Sequence, residues 1–240
     1  MKVKLVSSTQ VDQDYAADVI EDVLGSMTPD EAREVMHLLD NPEGLMTYIA
    51  RVSSPKQTNP SYAKLLRFCA DNGHWSVFQM VDATFEIETS RMLAPQILRH
   101  SSFAFQEFSQ RYSAVSADGI ETYVARRQDN KNRQNSIDDL SSDIKQEWEK
   151  RQLDNWKSAF EHYKWALDND IAKECARAVL PLQTKTKLYM KGSLRSWVHY
   201  LSARIKNGAQ KEHTDIAVAI RDVLAVKFPT IAEAMGWSGQ

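Results

Sequence analysis

Midway along this chain the hydrophobic pattern takes on a period that no helix can satisfy. From Gln79 to Glu88, apolar Val81, Ala83, Phe85 and Ile87 alternate with Asp82, Thr84, Glu86 and Glu88. Successive side chains of a strand point to opposite faces, so this spacing predicts a half-buried strand. Residues 2–6 alternate over a shorter span and predict a second, short strand. Around them the spacing is helical. Asp14 to Leu24 carries Ala17, Ile20, Val23 and Leu24 on one stripe. Thr28-Pro29-Asp30-Glu31 reads as a capping box opening a helix that runs to about Leu39, before Asn41-Pro42. Leu45 to Arg51 and Ser61 to Ala70 read as further helices, separated by a loop from Pro55 to Pro60. Asn72-Gly73 supplies the stop for the second of them.

Beyond the strand, Arg91 to Arg99 reads as helix despite Pro95. Residues 126–152 are the most polar stretch, a surface loop feeding a long helix through Trp148, Leu153, Trp156, Phe160 and Tyr163. Its charges are mixed in sign, which suits a solvated helix face better than a binding tail. A helix from Ile171 to Val179 ends at Leu180-Pro181, and Lys185 to Lys191 reads as a strand. Ser193 to Lys206 and Gln210 to Val226 read as helices broken at Asn207-Gly208. The fold class expected is α+β, mostly helical with a modest mixed or antiparallel sheet. The chain of 240 residues is expected to form one domain, 1–240. No Gly-x-Gly-x-x-Gly or Walker-type loop occurs, so a dinucleotide would have to be bound by something other than the Rossmann device.

A net charge of −2 offers no bulk attraction to nucleic acid, and only the basic cluster at 126–133 would favour it. Two cysteines, Cys69 and Cys175, make a disulfide framework improbable and fit a reducing compartment. No apolar run approaches the ~20 residues a bilayer span needs, and the polar start lacks a secretory core. A soluble, cytoplasmic protein without a membrane partner is expected. The six histidines include no His-x-x-x-His pair, and no Cys-x-x-Cys occurs, so no metal site is expected. His162 and His213 each follow a glutamate in a helix and are expected to be exposed. Both cysteines are expected to pack as small apolar groups, which argues against thiolate catalysis.

The densest chemistry lies in Arg99-His100-Ser101-Ser102-Phe103-Ala104-Phe105-Gln106-Glu107-Phe108-Ser109-Gln110-Arg111-Tyr112. Guanidinium groups stay charged and present a planar fork of donors, which suits an anionic ligand. The order of these residues resembles the signature of the flavin-dependent thymidylate synthases. It matches at Arg99, His100, Gln106, Glu107, Ser109 and Arg111. It departs at Ser101, where the family has arginine, and at Ala104, where it has serine. Three further segments carry the same resemblance: Gly73-His74-Trp75-Ser76, Ala94-Pro95-Gln96-Ile97-Leu98-Arg99, and Arg177 together with Ser193 to Arg204. The resemblance as a whole reaches over residues 48 to 220.

The resemblance implies the fold of the thymidylate synthase complementing proteins and methylation of dUMP at C5 to dTMP. The carbon would come from methylenetetrahydrofolate, and NADPH would reduce FAD to supply the hydride. It implies substrate binding by Gln96, Arg99, Glu107, Ser109, Gln110, Arg111, Arg177 and Arg204, with Arg204 catalytic. FAD binding would fall to His74, Ser76, Arg99, His100, Ser101, Glu107, Ser193, Arg195 and His199. It further implies a homotetramer with shared active sites. Ser101, Ala104 and Ala203 leave two alternatives open: a dUMP hydroxymethylase on the same scaffold, or a nucleotide-binding homologue impaired in catalysis.

Overall fold

Asp82–Ser90 forms a strand whose Ala83, Phe85 and Ile87 are buried while Asp82, Thr84, Glu86 and Glu88 are half-buried, as the alternation requires. The computed structural model describes residues 1–25, 27–205 and 209–237. In chain order its elements begin with β1 (Lys2–Ser8), α1 (Gln13–Leu24), α2 (Pro29–Leu39), α3 (Pro42–Ala50) and α4 (Ala63–Asp71). Next come β2 (Asp82–Ser90), α5 (Ala94–Ile97), β3 (Ala104–Glu107), β4 (Arg127–Gln128), β5 (Ser136–Ile137) and α6 (Ser142–Asp168). The chain continues through α7 (Lys173–Ala176), β6 (Lys185–Ser193), α8 (Leu194–Arg204), α9 (Lys211–Lys227) and α10 (Pro229–Ala234).

Four strands form a sheet in the order β1-β2-β6-β3. The Thr9 N–H donates to the Asp82 carbonyl at 3.0 Å, joining the end of β1 to the start of β2. Arg91 N–H donates to the Thr184 carbonyl at 2.9 Å, and Leu194 N–H to the Val81 carbonyl at 2.8 Å, so β2 and β6 run antiparallel. Phe108 N–H reaches the Lys187 carbonyl at 2.8 Å, joining the end of β3 to β6. The structure is thus α+β and mainly helical, with an antiparallel sheet.

The chain divides into two compact units. The first comprises Met1–Val3, Glu86–Met190 and Ala203–Ala217; the second comprises Lys4–Phe85, Lys191–Ser202 and Val218–Gln240. In the second unit Val11, Ala16, Val19, Val35, Leu38, Leu39 and Tyr48 pack into one apolar cluster. The ring of Trp197 meets Phe85 edge-on at 5.0 Å, and its indole N–H donates to the Ala83 carbonyl at 3.1 Å. Both halves of the capping box at α2 form: Glu31 N–H donates to Thr28 Oγ1, and Thr28 N–H donates to the Glu31 carboxylate. In the first unit Tyr163, Ala166 and Ala176 pack with Val115, Phe160 and Leu180. The Gln152 amide on α6 exchanges hydrogen bonds with the backbone of Tyr123, and the Trp156 indole N–H donates to the Ala117 carbonyl at 2.9 Å. The long helix thereby anchors the loop before β4.

Several expected elements differ. The helix expected over 91–99 is a single turn, because Pro95 lacks an N–H and the chain is still leaving β2. The segment expected over 171–179 is the short α7 followed by a 3-10 turn, Arg177–Val179. Within 126–152 the expected loop contains the β4–β5 hairpin, with Arg127 opposite Ile137 and Gln128 opposite Ser136. Strand β3 and helix α10 had no counterpart in the sequence reading. Helix α3 starts earlier than expected, at Pro42, because the Asn41 side chain caps it by accepting the Gly44 N–H at 2.7 Å. The expected break at Asn207-Gly208 lies outside the described residues.

Gly44 brings α3 into close approach with the end of α2. A Cβ there would lie 1.9 Å from the carbonyl oxygen of Leu38. Gly44→Ala is therefore expected to destabilise the protein by about 1–3 kcal/mol, the scale of an overpacked core. Thermal denaturation checks this; an unchanged midpoint would contradict the close approach.

Candidate active site

In the first unit β2 ends at Ser90, and the chain turns through Arg91 and α5 into the arginine-rich segment. Arg91 is half-buried and pairs with Glu107 at 2.8 Å; its other guanidinium nitrogen donates to the Phe108 carbonyl at 2.5 Å. Thr186 Oγ1 donates to the same Glu107 oxygen at 2.9 Å. Burial lowers the Arg91 pKa, the Glu107 carboxylate opposes that, and the like charge of Arg177 adds to the lowering. Arg91 and Arg177 are thus close enough to repel, with the Glu107 carboxylate beside Arg91. A pair of cations in that state favours a further anion. The sequence reading passed over Arg91. Its position at the exit of the strand, next to a proline-broken helix, was the available signal. Glu107 thus joins β3 to the exit of β2 and to β6 through Arg91 and Thr186.

Arg204, at the end of α8, donates from Nε to the Nε2 of His100 at 2.9 Å. That contact requires an unprotonated Nε2. Burial, and then the charge of Arg204, lower the pKa of His100. His213 on α9 lies edge-on to His100, ring centres 6.3 Å apart, and is fully buried. Burial, then Arg204 and His100, push its pKa down to about 3. The expectation of an exposed His213 is overturned: α9 turns it inward. His162 is exposed as expected. Arg204 is half-buried, and only Nε of its guanidinium makes a hydrogen bond among the described residues, which leaves its two Nη groups as uncommitted donors. The carbonyl of Arg204 accepts from Thr214 Oγ1 at 3.0 Å, tying the end of α8 to the start of α9.

Gln96 donates to Gln210 at 2.7 Å, and Gln210 to Glu212 at 3.0 Å. Glu212 is buried and meets Arg126 at 2.5 Å. Arg126 is therefore no part of a solvated basic patch, and Arg127 is paired with Asp139 at 2.6 Å. Burial, and after it the charges of Glu121 and Glu212, raise the phenol of Tyr123 to about 12 against a lowering hydrogen bond with Ser90. Arg99, Ser101 and Ser109 are exposed, and exposed Arg111 reaches Glu174 at 3.3 Å. Gln110 is buried, and among the described residues its Nε2 is buried with no hydrogen-bond partner.

The remaining predicted residues belong to the second unit. Gly73 takes φ +69° at the end of α4. His74 N–H then donates to the Cys69 carbonyl at 2.8 Å and Gly73 N–H to the Ala70 carbonyl at 3.3 Å, a Schellman stop. The Gly-His pair thus has a backbone reason, since only glycine adopts this conformation at little cost and the turn aims His74 outward. His74 lies edge-on to Phe68 at 5.7 Å, and exposed His199 lies 5.0 Å from Trp75. Ser76 is exposed and Arg195 half-buried. Ser193 Oγ accepts the Ser196 N–H at 3.3 Å and so also caps α8. Cys69 is buried and burial raises its thiol pKa; Cys175 is exposed, against expectation, because α7 is too short to bury it. Among the described residues no group of three or more His, Cys, Asp or Glu could hold a metal ion. Nor is any helix of the described residues long and apolar enough to cross a membrane.

Residues 34–230 match the family model described as thymidylate synthase complementing protein. The flavin-dependent thymidylate synthase of Synechocystis sp. is 56% identical over 197 residues, covering 82% of this chain and 91% of that protein. The probable flavin-dependent thymidylate synthase of Paramecium bursaria Chlorella virus 1 is 44% identical over 210 residues, covering 85% of this chain and 95% of the viral protein. In fold the chain is similar to the UMP/dUMP methylase PolB from Streptomyces cacaoi, crystallised with 5-Br dUMP. The TM-score is 0.75 at 24% identity, covering 98% of this chain and 94% of that one. The chain belongs to the flavin-dependent thymidylate synthase family.

Both histidines of the His100–Arg204–His213 cluster are held below the ordinary imidazole value, 6.5, so the unfolded chain takes up protons before the folded one does. Stability is therefore greatest above pH 6.5 and is lost as the pH falls, for His213 down to about 3. His213→Leu is expected to flatten this acid limb by up to about 1.4 kcal/mol per pH unit. Urea denaturation between pH 7 and 5 measures the slope; an unaltered slope would show that His213 does not titrate as described.

Proposed function

We propose that this chain catalyses the reductive methylation of dUMP to dTMP, taking its carbon from methylenetetrahydrofolate and its reducing power from NADPH through FAD. The observation that supports the reading most is the Arg204–His100 contact, which occupies Nε and leaves the two Nη groups of a half-buried guanidinium without a hydrogen-bond partner among the described residues. Carbon C5 of a uracil becomes nucleophilic without an attacking thiolate only if negative charge gathers on the carbonyl and N3 side of the ring. A fixed guanidinium stabilises that charge, an effect worth a few kcal/mol when preorganised. The buried thiol of Cys69, with its raised pKa, suits no attack on the ring. Arg177 and Arg111, with the hydroxyl of Ser109, are the proposed donors to the substrate phosphate, and Arg91 adds a further cation beside Arg177. Gln96, Arg99, Glu107 and Gln110 complete the proposed nucleotide residues.

The donors of the second unit suit a flavin. Exposed His74, Ser76 and His199 and half-buried Arg195 combine imidazole, hydroxyl and cationic groups with two aromatic contacts. These residues and Ser193 are proposed FAD contacts, as are, separately, Arg99, His100, Ser101 and Glu107. When bound, the flavin would supply the hydride that reduces the transferred one-carbon unit to a methyl group. We place the enzyme in the cytoplasm as a homotetramer with shared sites, working as one catalytic domain without nucleic-acid or membrane partners. A sedimenting monomer that retains FAD would refute the shared-site picture.

Incubating the purified protein with FAD, NADPH, methylenetetrahydrofolate and dUMP should yield a product with the mass of dTMP. A product bearing a hydroxymethyl group, or turnover with no flavin present, would overturn the proposal. Arg204→Ala should cut turnover by about a hundredfold or more while FAD stays bound. Ser101→Arg should tighten FAD by about 1–3 kcal/mol, the scale of a restored charge-assisted hydrogen bond. Fluorescence titration of FAD checks this, and equal affinities would count against a role for position 101.

A further inference from the structure

Gln96, Gln210, Glu212 and Arg126 form one string of hydrogen bonds inside the first unit. Gln96 meets Gln210 at 2.7 Å, Gln210 meets Glu212 at 3.0 Å, and Glu212 meets Arg126 at 2.5 Å. Arg126 is held in turn by Nε, which donates to Ser136 Oγ at 2.8 Å on the β4–β5 hairpin. The two ends of a glutamine amide have nearly the same shape, so an isolated amide does not choose its direction. This string does. A carboxylate paired with a guanidinium only accepts hydrogen bonds. The end of Gln210 that faces Glu212 must therefore be its NH2 group, and the end that faces Gln96 its carbonyl. Gln96 must then spend a donor on Gln210. What it has left toward its surroundings is led by its carbonyl oxygen, Oε1, which has no hydrogen-bond partner among the described residues.

We propose that Glu212, anchored by Arg126, is a positioning residue that sets the direction of this string, so that Gln96 offers an acceptor and selects a hydrogen-bond donor of the substrate. The inference rests on the reading of Gln96 as a nucleotide-binding residue of a dUMP-methylating enzyme. Deoxyuridylate carries two neutral donors that could meet Gln96, the N3–H of the base and the 3′-hydroxyl of the sugar. Both share the required chemistry, and two analogues separate them: N3-methyl-dUMP lacks the first and 2′,3′-dideoxyuridine monophosphate lacks the second.

The experiment measures the dissociation constants of dUMP and both analogues on the FAD-loaded protein. The proteins compared are the unaltered chain, Glu212→Gln, and the double variant Arg126→Met with Glu212→Gln, which removes the cation the single variant leaves without its counter-charge. A glutamine at 212 can accept or donate, so the string can then run either way. For the unaltered protein, one analogue is expected to bind about tenfold more weakly than dUMP, the scale of one lost hydrogen bond. In both variants that ratio should shrink to about threefold or less, because a reversed Gln96 no longer demands a donor. A merely structural role for Glu212 would weaken all three ligands alike and leave the ratio unchanged. An unchanged ratio in the variants, or no penalty for either analogue in the unaltered protein, overturns the inference. Failure of the unaltered protein to bind dUMP at all would overturn the underlying reading instead.

Discussion

Arg126 and Glu212 meet with both side chains largely out of water, and much of the first unit is arranged around that pair. Each charge alone would be costly to bury; together, with further hydrogen bonds, they are tolerated. Satisfying Arg126 draws in Ser136 and so places the β4–β5 hairpin. Satisfying Glu212 draws in Gln210 and, through it, Gln96. A polar stretch that looked solvated along the sequence is thus tied at one residue to the start of α9 and to the turn that opens the signature.

The same constraint governs the guanidinium groups nearby. Arg91 is half-buried and is met by Glu107 and the Phe108 carbonyl, which holds the end of β3 against the exit of β2. Arg204 is met by a neutral imidazole, so its charge is left uncompensated by His100. The fully buried His213 beside that imidazole, with its pKa pushed down to about 3, belongs to the same low-dielectric surroundings. One arginine is balanced by a carboxylate and the other keeps its full charge. For a group proposed to steady negative charge on a pyrimidine, the second arrangement is the more useful, because a carboxylate at Nε would offset the field the ring is meant to feel.

Much of this was legible in the residues. The alternation over Val81 to Ile87, the capping box at Thr28 and the stop at Gly73 each act through neighbours within a few positions, and each formed as local chemistry requires. The family was legible for a different reason: Arg99, His100, Gln106, Glu107, Ser109 and Arg111 keep an unusual spacing. What escaped was set by distant partners. His213 follows a polar, charged run and looked exposed, yet α9 packs that face inward. Strand β3 has too few residues to show a period, and it exists because β6 offers it an edge. Arg91 had no local mark beyond its place at the end of a strand, since Glu107 lies 16 positions away.

The sequence by itself determined the class of fold, most of the helix and strand starts, and the set of arginines, histidines and amides available to a nucleotide and a flavin. Those follow from backbone preference, hydrophobic period and the short-range pairing of caps. Only the tertiary structure decided which of those groups are neutral, which are already paired and which way each amide points. Ionisation and hydrogen-bond direction depend on burial and on the charge standing opposite, and both are created when segments remote in sequence are brought together.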